Sequence, residues 1–416
     1  MPHKSSLWYK FAALLLVLAL LLPILAACGE EEEKIPTPTL TTTPTPTATP
    51  SQTATPTPTP TPSGPVKIGA IMAWTGTMAM AGVLADQVIA VVEDQVKKRG
   101  GILGGRDLQI IKQDSRSALA YVLAGWTKLA LENKVSLVIF GGTQASEVVA
   151  STDMAEKYKI LYVNFAPYPV DLTERPYTIR STSYATATED SVEEFVLTQL
   201  KPKTVAMILD DDAENRKRED ALLARLEAAG VKVVSYQLVP PATTDLSPYL
   251  SRAKYANPDL LLGAHASEEY IMTTFKQIME LGGWGDMKYL QVGAAGGSPS
   301  VTRMPGAEGA YLWALWVPGL PYPAAKKFEQ DYMEKHGRMP GSTHAFFYFT
   351  LWTAIHAIEL AGTDDPAKVA EAARSGKLQW DSPSGPCTIG TDGETNLKGH
   401  MVQVGKGGNL IVVSGE

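Results

Sequence analysis

From residue 66 onward the apolar positions of the chain fall into two alternating patterns. Short runs such as VKIGAIM (66–72), LQIIKQD (108–114), VSLVIFG (135–141) and ILYVNFA (160–166) have the length and the β-branched content of strands. Between them apolar residues recur at helical spacing. Leu84, Val88, Val92 and Val96 form one such stripe, which Gly100-Gly101 ends, and further helices are predicted over 118–132 and 146–158. This order predicts a βαβαβαβ run, and therefore a parallel sheet covered by helices on both faces. After YTIRST (177–182) the pattern starts again. Helices over 188–200, 216–229, 246–255 and 270–281 alternate with the strands TVAMIL, KVVSYQL, DLLLGA and KYLQVGA, and AEGAYLWAL (307–315) adds a further strand. Helices over 324–336 and 344–359 come too late to belong obviously to one unit or the other. Residues 385–413 read as two β-hairpins turning at Asp392-Gly393 and Gly407-Gly408.

The chain before residue 65 has a different character. Lys4 and Lys10 flank the start of an apolar run over 11–22, shorter than the roughly 20 residues of a membrane span, and Leu25-Ala26-Ala27-Cys28 follows. That arrangement predicts an export signal over 1–27. Leu-Ala-Ala-Cys also resembles the lipobox of bacterial lipoproteins, which implies lipidation at Cys28. Glu30 to Glu33 and the Thr/Pro tract over 36–62 offer almost nothing to bury, and proline removes backbone donors while holding φ near polyproline II. Residues 28–64 are thus expected to be a disordered tether, with a reach of about 3.1 Å per residue where extended.

Composition narrows the possibilities for the body. Its roughly 350 residues exceed what one hydrophobic core usually serves, so two lobes are expected. The formal charge of −7 makes nucleic acid a poor partner. With Cys28 assigned to a lipid, Cys387 has no cysteine to pair with, and stability must come from burial. Neither half carries a glycine-rich phosphate fingerprint after a strand, and no GxSxG, HExxH or zinc-type spacing occurs. No catalytic residue, metal or cofactor is expected.

The motifs VKIGAIMAWTG, RGGILGGRDLQIIKQDS, VSLVIFGGTQAS, LTERPYTIRS, TTDLSPYL with NPDLLL, and MPGSTHAFFYFTLWTAIHAIELAG occur in that order. In that succession the chain resembles the type I periplasmic binding proteins that serve ABC transporters of the branched-chain amino-acid type. The resemblance implies an α/β, two-lobed fold, each lobe a Rossmann-like three-layer unit with a parallel sheet, joined by a hinge that the chain crosses several times. The expected division is 65–183 plus 313–377 for one lobe and 184–312 plus 378–416 for the other, with crossings near Ser183, 312–318 and Lys377. It also implies a small-molecule solute bound between the lobes, ABC permease subunits as partners, and a place on the outer face of the cytoplasmic membrane or in the periplasm.

Ligands of open α/β sheets bind beyond the carboxyl ends of the strands. That edge and the resemblance together nominate Trp74 and Thr75, then Gly142, Thr143 and Gln144, then Phe165, Ala166 and Tyr168. In the second half they nominate Glu214, His265, Ala295 and Trp316. Thr75-Gly76-Thr77 is expected to leave N–H groups open at a helix N-terminus, suited to a carboxylate, and Trp74 to wall the pocket or to pack in the core. Two departures from the amino-acid-binding members stand out. Glu214-Asn215 replaces a tyrosine and glycine, and Ala294-Ala295 replaces the acidic residue that meets a ligand ammonium. Burying an ammonium without an acceptor is costly, so an aromatic or other apolar carboxylate, or a small amide, is expected ahead of a standard amino acid. Two alternatives belong to other classes: an exported hydrolase using Asp210 to Asp212 around a divalent ion, and a sensory domain of the same fold.

Overall fold

The computed structural model describes residues 64–413, apart from 166–170, 183–184, 212, 241–242, 266–267 and 293–296. Cys28, Ala166, Tyr168 and Ala295 therefore lie outside the described residues, as does the tether.

The first sheet is built from β1 (Val66–Met72), β2 (Leu108–Asp114), β3 (Leu137–Ile139), β4 (Leu161–Asn164) and β5 (Thr178–Arg180), in the order β2-β1-β3-β4-β5. Every pairing in it is parallel. The crossover helices are α1 (Ala79–Lys98), α2 (Leu119–Lys128) and α3 (Ala145–Tyr158). In α1 the apolar stripe read from the sequence is the buried face, with Val88, Val92 and Val96 fully covered. Strands β3 and β4 are buried on both faces, as a sheet covered on both sides requires.

The second sheet has the order β14-β13-β10-β9-β8-β6-β7. Its parallel part is β6 (Thr204–Asp210), β7 (Lys232–Val239), β8 (Leu260–Ala264), β9 (Lys288–Gln291) and β10 (Tyr311–Ala314), with antiparallel β13 (His400–Val404) and β14 (Leu410–Val412) on one edge. Its helices include α4 (Ala185–Phe195), α5 (Ala213–Ala228), α6 (Ser247–Tyr255), α7 (Glu268–Glu280) and the single turn α8 (Pro299–Thr302). Gly407-Gly408 turns the β13–β14 hairpin, as expected.

The late helices α9 (Pro323–His336) and α10 (Ser342–Ala361) return to the first lobe, where both pack on α1. A short helix that the sequence reading passed over, α11 (Pro366–Ala373), packs beside α10. A further hairpin, β11 (Leu378–Ser382) with β12 (Gly385–Ile389), turns at Pro383-Ser384, and the expected turn at Asp392-Gly393 follows it, closed by the isolated antiparallel bridge of Ile389 with Thr395. It forms its own two-stranded sheet, and Trp380 packs on Phe349 and His356 of α10. The third crossing consequently lies over 390–399, not near Lys377. The physical reason is that Leu378, Cys387 and Ile389 are buried, and α10 supplies the cover. The other crossings leave the carboxyl end of β5 through Ser181 and Thr182, and the carboxyl end of β10 over 315–322. The carboxyl edges of both parallel sheets therefore border the hinge.

Candidate functional site

At the first-lobe edge, Asp114 at the end of β2 organises the loop that follows β1. Its carboxylate accepts the N–H groups of Trp74 (2.9 Å), Thr75 (3.1 Å) and Arg116 (3.0 Å), and the Thr75 hydroxyl at 2.6 Å. Burial works to raise this carboxyl, but the Thr75 hydroxyl and the three N–H groups outweigh it and hold it below the usual carboxylate range. Ser117 Oγ accepts the Met78 N–H, tying the same loop to the turn after β2. The Trp74 indole donates to Asp86 of α1 at 2.7 Å, and Lys112 of β2, paired with Asp86, lies over its ring. The ring thus sits on the outer edge strand of the sheet.

The loop after β3 is more constrained. Phe140, Gly141 and Gly142 have φ of 72°, 78° and 114°, and Gly141 N–H donates to Ile139 C=O two residues back. That bond across a positive-φ residue is the strained form of γ-turn, and a phenylalanine in it costs about 1–2 kcal/mol. Side chains hold the turn from behind. The Tyr162 hydroxyl donates to Phe140 C=O (2.7 Å), and the Ser151 hydroxyl to Gly141 C=O (2.6 Å) while accepting from the Trp126 indole. Only glycine fits at 141, because a Cβ there would stand 2.2 Å from the Tyr162 hydroxyl. The strain is offset by ring packing: Phe140, Phe165 and Phe347 of α10 meet with centroids 5.2–5.9 Å apart. Strain concentrated at a strand end on the ligand-binding edge is a mark of a functional loop.

Beyond the turn, Glu147 reaches back from the first turn of α3. Its Oε2 accepts the N–H groups of Thr143 (2.7 Å) and Gln144 (3.1 Å). Glu147 is 1% exposed, and its Oε1 is buried with no hydrogen-bond partner. The Gln144 side chain donates to Ser117 C=O, joining this loop to the one after β2.

At the second-lobe edge, Asp210 ends β6 and accepts the Nδ1–H of His265, just after β8, at 2.7 Å. A carboxylate accepts only, so this bond places a proton on Nδ1. Tyr270 of α7 stacks on the imidazole at 13° and 5.6 Å. Gln291 donates to His265 C=O and accepts from the Tyr289 hydroxyl. Here the first lobe's device recurs: a tyrosine and an amide two residues on, beside a glycine whose Cβ would meet the hydroxyl at 2.2 Å (Gly263).

Of the residues expected from sequence, Trp74, Thr75, Gly142, Thr143, Gln144 and Phe165 converge on one edge, and His265 lies on the other. Of the N–H groups expected to be open over Thr75-Gly76-Thr77, Asp114 takes that of Thr75. Trp316 is corrected: it is fully buried, edge-on to Phe328 of α9, because Leu315, Trp316, Val317 and Leu320 anchor the second crossing in the core. Glu214 lies in the first turn of α5. Sequence reasoning missed Asp114, Ser117 and Glu147. Glu147 had a legible signal, a carboxylate three residues after the residue preceding the helix.

Residues 65–409 match the family model of the periplasmic binding proteins, and the chain belongs to that family. Among its relatives, Leu/Ile/Val-binding protein homolog 7 of Brucella melitensis is 22% identical over 338 residues, covering 74% of this chain and 81% of the relative. An ABC transporter substrate-binding protein from Sphaerobacter thermophilus superposes with a TM-score of 0.75 at 20% identity, over 85% of this chain and 97% of that one. A solute-binding protein of an ABC transporter from Rhodopseudomonas palustris, in complex with 3,4-dihydroxybenzoic acid, gives 0.71 at 23% identity over 84% and 96%. The two-lobed α/β architecture is thus that of the periplasmic binding proteins.

Proposed function

We propose that the protein is the extracytoplasmic solute receptor of an ABC importer, anchored through Cys28, which captures a small organic solute between the carboxyl edges of its two sheets and hands it to the permease. The observation that carries this reading is the pair of prepared edges. The Phe140 γ-turn and the Asp114 network on one side, and the Asp210–His265 pair on the other, both border the three crossings. Ligand that touches both edges stabilises the closed form by that difference in contact. Family membership and the roles of the relatives support a receptor over a hydrolase. Of the three aspartates of the metal-dependent alternative, Asp210 accepts from His265 and Asp211 pairs with Arg216, and Asp212 lies outside the described residues.

A thermal-shift screen of the full-length protein against amino acids, aromatic acids, amines and amides tests the reading. A true solute at 100 times its dissociation constant adds about 2.7 kcal/mol of stability. Turnover of a chromogenic ester or phosphate, with no solute moving the melting temperature, would overturn it.

A further inference from the structure

Helix α2 is apolar on more sides than its own chain covers. Its inner face, Val122 and Trp126, joins α3 over Ile71, Val138 and Tyr162 in a core separate from the one under α1. Residues 117–127 carry no charge, and a helix that is apolar all round is normally enclosed. Here the outer face is open. Ala120, Leu123 (38%) and Ala124 are exposed, as is Leu131 (60%) in the turn that continues the helix, and Val149 of α3 adds a further exposed apolar side chain at 46%. Single apolar residues on a surface need no account, but a run of them rimmed by charge marks a face that another body covers.

The rim carries both signs. Arg116 lies along the Tyr121 ring at one end of α2, and Lys128 and Glu132 stand exposed at the other. Among the described residues neither Arg116 nor Glu132 has an opposite charge to pair with. An anionic membrane surface would favour a basic rim. A second copy fits better. Arg116 and Glu132 lie eight residues to either side of Ala124, so a twofold axis beside Ala124 that sets two α2 helices antiparallel brings Arg116 of each copy to Glu132 of the other. Tyr121, which holds Arg116, and Glu132 share one flank of the helix, and such an axis keeps that flank on the same side in both copies.

We propose that the outer face of α2 and α3 is a self-association surface, through which two copies of this chain pair about a twofold axis at Ala124. A two-helix face is at the small end of specific interfaces, so micromolar association is expected. Copies anchored through Cys28 to one membrane would meet at a raised local concentration. The first and third crossings meet at β5, the opposite edge of the sheet from β2, so the pairing leaves the second lobe free to move.

Sedimentation velocity of the full-length protein from about 1 to about 100 µM tests the proposal. The wild type should pass from monomer to dimer in that range. Leu123→Lys, at a position open enough to take a lysine, should keep the wild-type melting temperature and weaken the dimer about tenfold or more. The charge pair tests the axis itself. Arg116→Glu and Glu132→Arg should each be monomeric alone, since each sets like charges together twice, and should dimerise when mixed, because both pairs are then opposite. A wild type that stays monomeric, a Leu123→Lys dimer as tight as the wild type's, or single variants that fail to pair on mixing overturns the proposal. A monomer whose flotation on phosphatidylglycerol vesicles falls with Leu123→Lys would overturn it too, and would assign the face to a membrane.

Discussion

Gly141 and Tyr162 show how one atom decides a loop. A Cβ at 141 would collide with a hydroxyl that already holds Phe140 C=O, and the φ of 78° adds left-handed strain. Gly141→Ala should therefore cost at least about 2 kcal/mol in urea unfolding. Gly263→Ala meets the Tyr289 hydroxyl at the same distance but without positive φ, so its cost should be about 1–3 kcal/mol and smaller than that of Gly141→Ala. Equal costs would show that the backbone strain contributes nothing. At this scale the sequence was only partly legible. Thr143 and Gln144 were read correctly as residues of the loop, since a loop after a strand can be placed from periodicity alone. That Gln144 bonds Ser117, and that Trp74 turns onto Asp86, depends on neighbours 27 and 12 residues away along the chain, which no local pattern reveals.

Helices α1, α9 and α10 meet at Gln87. Its Oε1 accepts from the Tyr332 hydroxyl, Arg338 and His344 Nε2–H, while His344 Nδ1 accepts the Gly341 N–H. Burial first, then the adjacent Arg338 charge, pushes His344 down to about 4. The unfolded chain protonates this histidine near its ordinary 6.5, whereas the folded protein keeps it neutral to about 4. The contribution is therefore whole above 6.5 and is lost as pH falls from there toward 4. At 1.36 kcal/mol per pH unit the span is about 3 kcal/mol. Urea midpoints should fall across that window, and His344→Gln should flatten the slope while lowering stability at neutral pH. An unchanged slope would show that His344 is not the group responsible. The periodicity of α9 and α10 was plain in the sequence, with boundaries within two residues of those observed. Helix α11 was missed because its eight residues, opening on Asp365 and Pro366, make too short a window for a 3.6-residue period to register.

At the scale of the whole molecule, the two sheets followed from the alternation of strands and helices, but the route of the chain between them did not. The third crossing was expected about 15 residues too early, because a hairpin signal says that two strands pair and not which lobe covers them. The contact that fixes this crossing is long-range. Arg180, at the carboxyl end of β5 where the first crossing leaves, is fully buried and meets Glu394 of the third crossing through Nε (2.9 Å) and Nη2 (3.2 Å). Arg180 N–H donates to Gly393 C=O, and Arg374 binds Thr178 C=O and Asp392 C=O beside it. Two crossings are thus fastened at one charged pair. Removing one partner of a buried pair typically costs 3–5 kcal/mol, because it strands the other charge. Glu394 is 29% exposed, so water relieves some of that, and Glu394→Gln should cost about 3 kcal/mol in urea unfolding. A loss below about 1 kcal/mol would mean that Arg180 draws its compensation chiefly from other partners. The paired change Arg180→Met with Glu394→Leu removes both charges together and should recover most of the loss, since desolvation offsets much of a buried pair's attraction. If the double variant is as unstable as the single one, the pair serves as a geometric fastener of the hinge and not merely as a compensated charge. In that case solute affinity should fall along with stability.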